Sequence, residues 1–374
     1  MEHPTRTRFW SDDLRALLAA ALTLAAGGAQ SQTIELAASG LDNPRGLAVG
    51  KNGAVYVAES GQGGTGTCVV TSEPLEVCFG ATGAITRISG GGQQRVVSGL
   101  PSLAAPDGSG GVGPHDLALR NNRRAYVVMG LTGPPDLRDE LGSDGTDFGR
   151  LLEVDLHSGS WEAVGDLVAH EAAHNPDGGV LDTNPYGIFA RANQWIVADA
   201  GGNDLLRVRR GGSVETLAVF PLRLADAPEF LGLPPGEQIP MEAVPTTVVQ
   251  GPDGAYYVGQ LTGFPFPKNQ ARVYRLEPGG ELEVYAGGFT NIIDIGFGPD
   301  GLLYVLEIAT RGLLSDGPPT GSLMRIAADG SREVVAKRGL FLPGGFAFGT
   351  DGSIYVSNCS ACPAGAGEVL RIEP

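Results

Sequence analysis

The chain has 374 residues, 42% of them hydrophobic and 18% charged, so it carries enough apolar material for a sizeable core; 58 Gly and 26 Pro indicate many tight turns. A formal charge of −16 argues against nucleic acid and against anionic membrane surfaces as partners, while leaving the fold open. A chain of this length ordinarily divides into domains unless a repeat organises it as one body.

Residues 1–31 read as a secretory signal peptide. Arg6, Arg8 and Arg15 precede an apolar run at 16–26 that is too short to span a bilayer, and a small-residue cleavage site falls between Ala29 and Ser31. No later stretch is long and apolar enough for a membrane helix, so a secreted or periplasmic chain without membrane insertion after cleavage is expected.

From residue 33 onward one pattern recurs six times. Pro44–Val49 leads through a Gly53 turn to Val55–Val57, and Pro114–Leu117 leads to Tyr126–Val128. Pro185–Ile188 leads to Trp195–Val197, and Pro245–Val248 passes through Pro252-Asp253-Gly254 to Tyr256–Val258. Asn291–Phe297 turns at Pro299-Asp300-Gly301 into Leu302–Leu306, and Pro343–Phe346 turns at Asp351-Gly352 into Ile354–Val356. Each is a hairpin whose second strand is nearly continuous in apolar residues, and each is followed by another hairpin, such as Ala271–Leu276 with Leu282–Tyr285. Four short antiparallel strands per unit, repeated six times, predict an all-β, six-bladed β-propeller as a single domain over 32–374.

The last unit stops after three strands, at Glu368–Ile372, while Thr33–Leu41 matches the fourth strand of other units. The N-terminal strand is therefore expected to complete the C-terminal blade and hide its edge. Four cysteines suit export. Cys68 with Cys78 and Cys359 with Cys362 are expected to form local disulfides, each closing a loop with no core of its own. The Cys359–Cys362 spacing also fits a redox motif or half a zinc site, but a thioredoxin-like context and a second half are both missing.

Blade geometry puts the loops leading into each unit, and those between its second and third strands, on one face. The long insertions 59–83, 100–113, 130–149, 165–184, 220–244, 259–271, 307–321 and 357–367 all fall there, making it the expected functional face. Around the channel mouth the first strands open with Arg45, His115, Tyr186, Thr246, Ile293 and Gly344, with Asp116 and Asp294 just behind. The second strands end with Glu59, Met129, Asp199, Gln260, Glu307 and Asn358. Glu59, Asp199 and Glu307 with His115 are the candidates for Ca²⁺ binding or acid–base catalysis. The competing reading is that a wet channel is simply lined by polar groups bonded to neighbouring blades. Phe264 and Phe266, in a Pro-stiffened loop on the same face, either line an apolar pocket or cap the gap between blades.

His170-Glu171-Ala172-Ala173-His174 matches a zinc-protease motif letter for letter, but Pro176 leaves room for barely two helical turns, so the pair reads as incidental. Ser143–Asp147 and Asp107–Gly111 resemble calcium loops in composition only and read as turns.

Asn43-Pro44-Arg45-Gly46-Leu47, Glu171 with Asn175-Pro176-Asp177-Gly178-Gly179, Asn184-Pro185-Tyr186-Gly187, Tyr257–Pro267 and Asn291–Asp294 resemble the ScyD/ScyE family over residues 33–374. The resemblance implies an exported propeller related to NHL-repeat proteins. The family takes its name from gene clusters for scytonemin, an indole–phenol pigment whose late steps are periplasmic. Where members carry Glu, this chain has Gln260, which weakens a metal or acid–base role there. The expectation is a small molecule or peptide bound at the channel mouth by Arg45, His115, Asp116, Tyr186, Gln260, Phe264, Phe266, Asp294 and Asn358, as an accessory to extracytoplasmic secondary-metabolite processing. A Ca²⁺-dependent hydrolase or lyase, an oxidative enzyme and a protein-interaction platform are the alternatives.

Overall fold

The structure, a computed structural model, describes residues 33–72 and 75–373; the expected signal peptide lies outside them. Six antiparallel sheets follow one another in chain order. Blades 2 to 5 begin at Pro114–Leu119, Pro185–Arg191, Pro245–Gln250 and Ile292–Phe297, and each has four strands. Blade 1 (Pro44–Val49, Val55–Glu59, Glu76–Ser89, Gly92–Ala104) gains a fifth strand, Cys68–Val70. Blade 6 consists of Gly345–Phe348, Ile354–Asn358, Gly367–Glu373 and, on its outer edge, Thr33–Leu41. The fold class is the expected six-bladed propeller, closed by its N-terminal strand. Arg371 and Glu35 pair across that closure at 3.4 Å.

Stability comes from the gaps between blades. The second strands Val55–Glu59, Tyr256–Gln260 and Leu303–Glu307 are buried at every position, because both of their faces pack against sheet. Tyr56, Ile85 and Leu100 of blade 1 meet Leu117, Val127 and Leu152 of blade 2 in one core. Tyr126, Val128 and Leu151 meet Ile188, Trp195 and Val197 in the next, and the same arrangement continues around the ring to blade 6 against blade 1. Each fully buried Val or Leu contributes about 1.5–3 kcal/mol of transfer free energy.

The insertions carry secondary structure of their own. Residues 130–149 contain helix α1 (Leu137–Leu141), residues 165–184 contain helix α2 (Leu167–His174), and residues 220–244 form a ribbon of Arg223–Asp226 with Gln238–Met241. Both expected disulfides are present. Their loops were expected to lack a core, and for Cys68–Cys78 that is corrected. Val69 and Val77 pack with Leu103, Leu131, Leu137, Phe148 and Val168 in a separate apolar cluster formed by the insertions themselves.

Candidate functional site

The channel wall follows from a repeated irregularity. In blades 1 to 5 the pairing of the first two strands slips next to the opening residue, between Pro44/Leu47, Pro114/Asp116, Pro185/Gly187, Pro245/Thr247 and Ile292/Asp294. A β-bulge adds a residue and re-aims side chains. Thus His115 and Asp116, Thr246 and Thr247, and Ile293 and Asp294 all line the channel, together with Tyr186, Gly46 and Gly344.

The polar groups in this wall fasten one blade to the next. Asp116 Oδ2 accepts the Ile188 N–H of blade 3 at 2.9 Å, and Asp294 Oδ2 accepts the Phe346 N–H of blade 6 at 2.9 Å. Asp294 Oδ1 also accepts from the Thr247 hydroxyl of blade 4 at 2.8 Å. Glycine at 46 is required by crowding: a β-carbon there would overlap the Asp116 carboxylate and stand 2.9 Å from the Asp116 Cα. Burial pushes the Asp116 carboxyl up to about 8, with the charge of Asp294 adding; burial also lifts Asp294 to about 6.

His115 is buried, its Nδ1 donating to the Pro185 carbonyl at 3.2 Å and its ring lying 4.7 Å from that of Tyr186. Burial, helped by the charge of Arg45, pulls it down to about 3, so the imidazole is neutral and Nε2 carries a lone pair with no hydrogen-bond partner. Arg45 donates to the Tyr186 hydroxyl and to the Gly111 carbonyl, both at 2.8 Å. The space left in the middle is about 10 Å³, enough for roughly one water molecule and too little for an organic ligand.

The residues ending the second strands do something else. Glu59 accepts the Asp42 N–H at 2.8 Å and the Thr86 hydroxyl, and pairs with Arg95 at 2.6 Å. Asp199 accepts from the N–H of Asn184 at 2.7 Å and from the Thr183 hydroxyl at 2.6 Å. Glu307 accepts the Thr290 N–H at 2.6 Å, and Asn358 accepts the Phe341 N–H at 2.7 Å. Each of these four side chains pins the loop that leads into its own blade. Gln260 accepts from Arg223 at 3.4 Å, and its Nε2 has no partner. Hence Glu59, Asp199, Glu307 and His115, considered together from the sequence, are not brought to one point. Among the described residues, no three His, Cys, Asp or Glu side chains form a ready set of metal ligands. The His170/His174 pair sits on the eight-residue α2, with His170 Nε2 2.8 Å from the Thr216 hydroxyl and the two rings stacked.

A larger space opens between blades 3 and 4 on the loop-bearing face. This cleft of about 560 Å³ is lined by Val180, Val219, Phe220, Leu222, Pro240 and Phe264, with Asp177, Asn203 and Glu242 as its polar members. Phe264 is 40% exposed and packs edge-on to Phe230 at 6.2 Å and to Phe266 at 6.4 Å. The sequence singled out the two aromatics of this loop. It gave no hint of Val180, Leu222 or Glu242, which come from two insertions, 165–184 and 220–244, with no repeat pattern.

No family model matches the chain, and no curated protein is similar to it in sequence. Two solved structures described as glucose dehydrogenase superpose with TM-scores of 0.55 and 0.52, each 14% identical and covering 91% of this chain and 99% of the other. A virginiamycin B lyase from Staphylococcus aureus superposes with a TM-score of 0.47 at 12% identity, covering 92% of this chain and 99% of the other. At such identities the likeness is one of fold: these neighbours are six-bladed propellers.

Proposed function

We propose that the chain is an exported propeller of the ScyD/ScyE kind that binds a small, largely apolar molecule or a peptide on its loop-bearing face, as an accessory to extracytoplasmic secondary-metabolite processing. The observation that carries this reading is the cleft between blades 3 and 4. Its volume of about 560 Å³ lies within the range of small-molecule sites, and it combines an apolar lining with a few polar groups. The central channel lacks that room. Two disulfides suit an oxidising compartment, and no helix among the described residues is long and apolar enough to cross a membrane.

Titration with Nile red, a neutral apolar dye, tests the reading. Saturable fluorescence enhancement is expected, and Phe264→Ala or Leu222→Ser should each weaken it about tenfold, the equivalent of one lost apolar contact surface. Absence of saturation, or affinities untouched by both substitutions, would remove the cleft from consideration. A second reading, acid–base chemistry at the channel, has one observation in its favour: the unpartnered Nε2 of neutral His115 beside the Tyr186 ring.

A further inference from the structure

Blades 4, 5 and 6 share a clamp at the tips opposite the long insertions. A tyrosine of the second strand stands across from an arginine of the third: Tyr257 from Arg275, Tyr304 from Arg325 and Tyr355 from Arg371. An aspartate four residues before the tyrosine, in the preceding turn, ties the tip together. Asp253 accepts from Arg275 at 2.9 Å and from the Tyr257 hydroxyl at 3.1 Å. Asp300 accepts from Arg325 at 3.3 Å and from the Tyr304 hydroxyl at 3.1 Å, and Asp351 accepts from Arg371 at 2.9 Å. Blade 2 breaks the pattern. Its turn has Asn122 where those blades have aspartate, and Tyr126 stands across from Glu153. That glutamate draws in Arg124 at 2.6 Å and Arg120 at 3.2 Å. In blade 3 the tyrosine itself gives way to Ile196, and the facing Arg207 bonds Glu215 of its own blade at 2.8 Å.

Between these two unclamped tips lies a cleft of about 960 Å³. At its base the two blades meet through the buried rings of Tyr126 and Trp195, 4.7 Å apart. On one side the last turn of blade 3 lies against the fourth strand of blade 2, where a β-carbon on Gly212 would stand 3.2 Å from the Val164 carbonyl oxygen. Arg191 and Arg210 rise from one tip of blade 3. Arg191 pairs with Gln194 across the first turn, and the Arg210 N–H donates to the Asn193 carbonyl of that turn at 3.1 Å.

The charge of the lining runs against that of the chain. Arg120, Arg124, Arg191 and Arg210 face Glu153 and Glu162 here, in a molecule whose formal charge is −16. Glu153 is engaged by Arg120 and Arg124, whereas the exposed side chains of Arg191 and Arg210 have no hydrogen bond or ion pair among the described residues. The indole N–H of Trp195 likewise has no acceptor. Two uncommitted guanidinium forks in a concave, positively charged lining suit an occupant that supplies paired anionic oxygens.

We propose that this cleft binds a small organic anion, a carboxylate or a phosphate monoester. Arg191 and Arg210 hold the anionic group, and Ala163, Val164 and Ala190 offer apolar surface to the uncharged remainder. Its volume falls within the range of small-molecule sites. The site lies on the face opposite the cleft between blades 3 and 4 and stands independently of what that cleft binds.

Calorimetric titration of 1-naphthoate, 1-naphthyl phosphate and neutral 1-naphthamide into the purified protein tests this. At least one of the two anions should bind with one molecule per chain, about tenfold or more tightly than the amide, and the better of the two names the anionic group preferred. Arg191→Gln and Arg210→Gln, both at exposed side chains, should each weaken that binding about tenfold, and added salt should weaken it too. Lys51→Gln, in the first turn of blade 1 on the same face, should leave it unchanged. Failure of both anions to saturate, an amide that binds as tightly as they do, arginine variants with undiminished affinity, or an equal loss in Lys51→Gln would each overturn the proposal.

Discussion

Replacing Asp116 by Asn tests whether a channel carboxyl governs stability against pH. In the folded chain this group titrates at about 8, against 3.8 for an unperturbed aspartate, because burial and the charge of Asp294 both disfavour ionisation. Between those values the unfolded chain has released the proton and the folded chain has kept it. The unfolded state therefore binds fewer protons, and stability falls as pH rises through that window. Integrated from pH ~5 to ~9, this single group removes roughly 4 kcal/mol. Asparagine cannot ionise, so its stability curve should lack that fall. It retains one acceptor for the Ile188 or Leu117 N–H and turns a donor toward the other, costing about 1–3 kcal/mol at the acid end. The variant should be the less stable protein near pH 5 and should equal or surpass the parent near pH 9. Denaturant unfolding followed by tryptophan fluorescence reads this directly, since Trp195 is buried in the adjoining blade. Curves for the two proteins that stay parallel from pH 5 to 9 would refute the assignment of a retained proton to Asp116.

Gly46→Ala should destabilise the ring by about 1–3 kcal/mol, because its methyl would overlap the Asp116 carboxylate; an unchanged denaturation midpoint would mean the two blades can separate freely there. Glu59→Ala should cost about 2–4 kcal/mol by leaving the Thr86 hydroxyl and Asp42 N–H without their acceptor, while dye binding in the cleft stays unchanged. Loss of binding with intact stability would instead make Glu59 part of the ligand site.

What the sequence revealed, and what it hid, divides along the repeat. The hairpins were legible because an apolar second strand recurs in every unit, and in four of the six a turn ending in Gly (Gly53, Gly254, Gly301, Gly352) precedes it. Closure was legible because Thr33–Leu41 is a fourth strand without a third, and Glu368–Ile372 ends a unit one strand short. Pro176 announced a helix of barely two turns around His170 and His174, and α2 does end at His174. The insertions carry no period, so the small core joining Val69, Leu103, Leu131 and Val168, and the cleft joining Val180, Leu222 and Phe264, depend on contacts between distant residues. The roles of the acidic residues were hidden for a different reason. Equivalent positions in the repeat proved equivalent in structure, each pinning its own incoming loop, where shared position had suggested a shared site.

The bulges connect these observations. In blades 2, 4 and 5 they turn two residues into the axis, and the channel fills with side chains, several of which fasten neighbouring blades, leaving about 10 Å³. A propeller so plugged is held together at its axis and leaves no room there for an organic ligand. On the loop-bearing face, room for a ligand therefore comes from the insertions. The 165–184 and 220–244 insertions supply most of the cleft's lining, through Asp177–Val180 and through Phe220, Leu222, Pro240 and Glu242, with Phe264 added by the 259–271 loop. The cleft thus takes most of its lining from segments between and beyond the repeated strands of blades 3 and 4, where no periodic constraint fixes the residues.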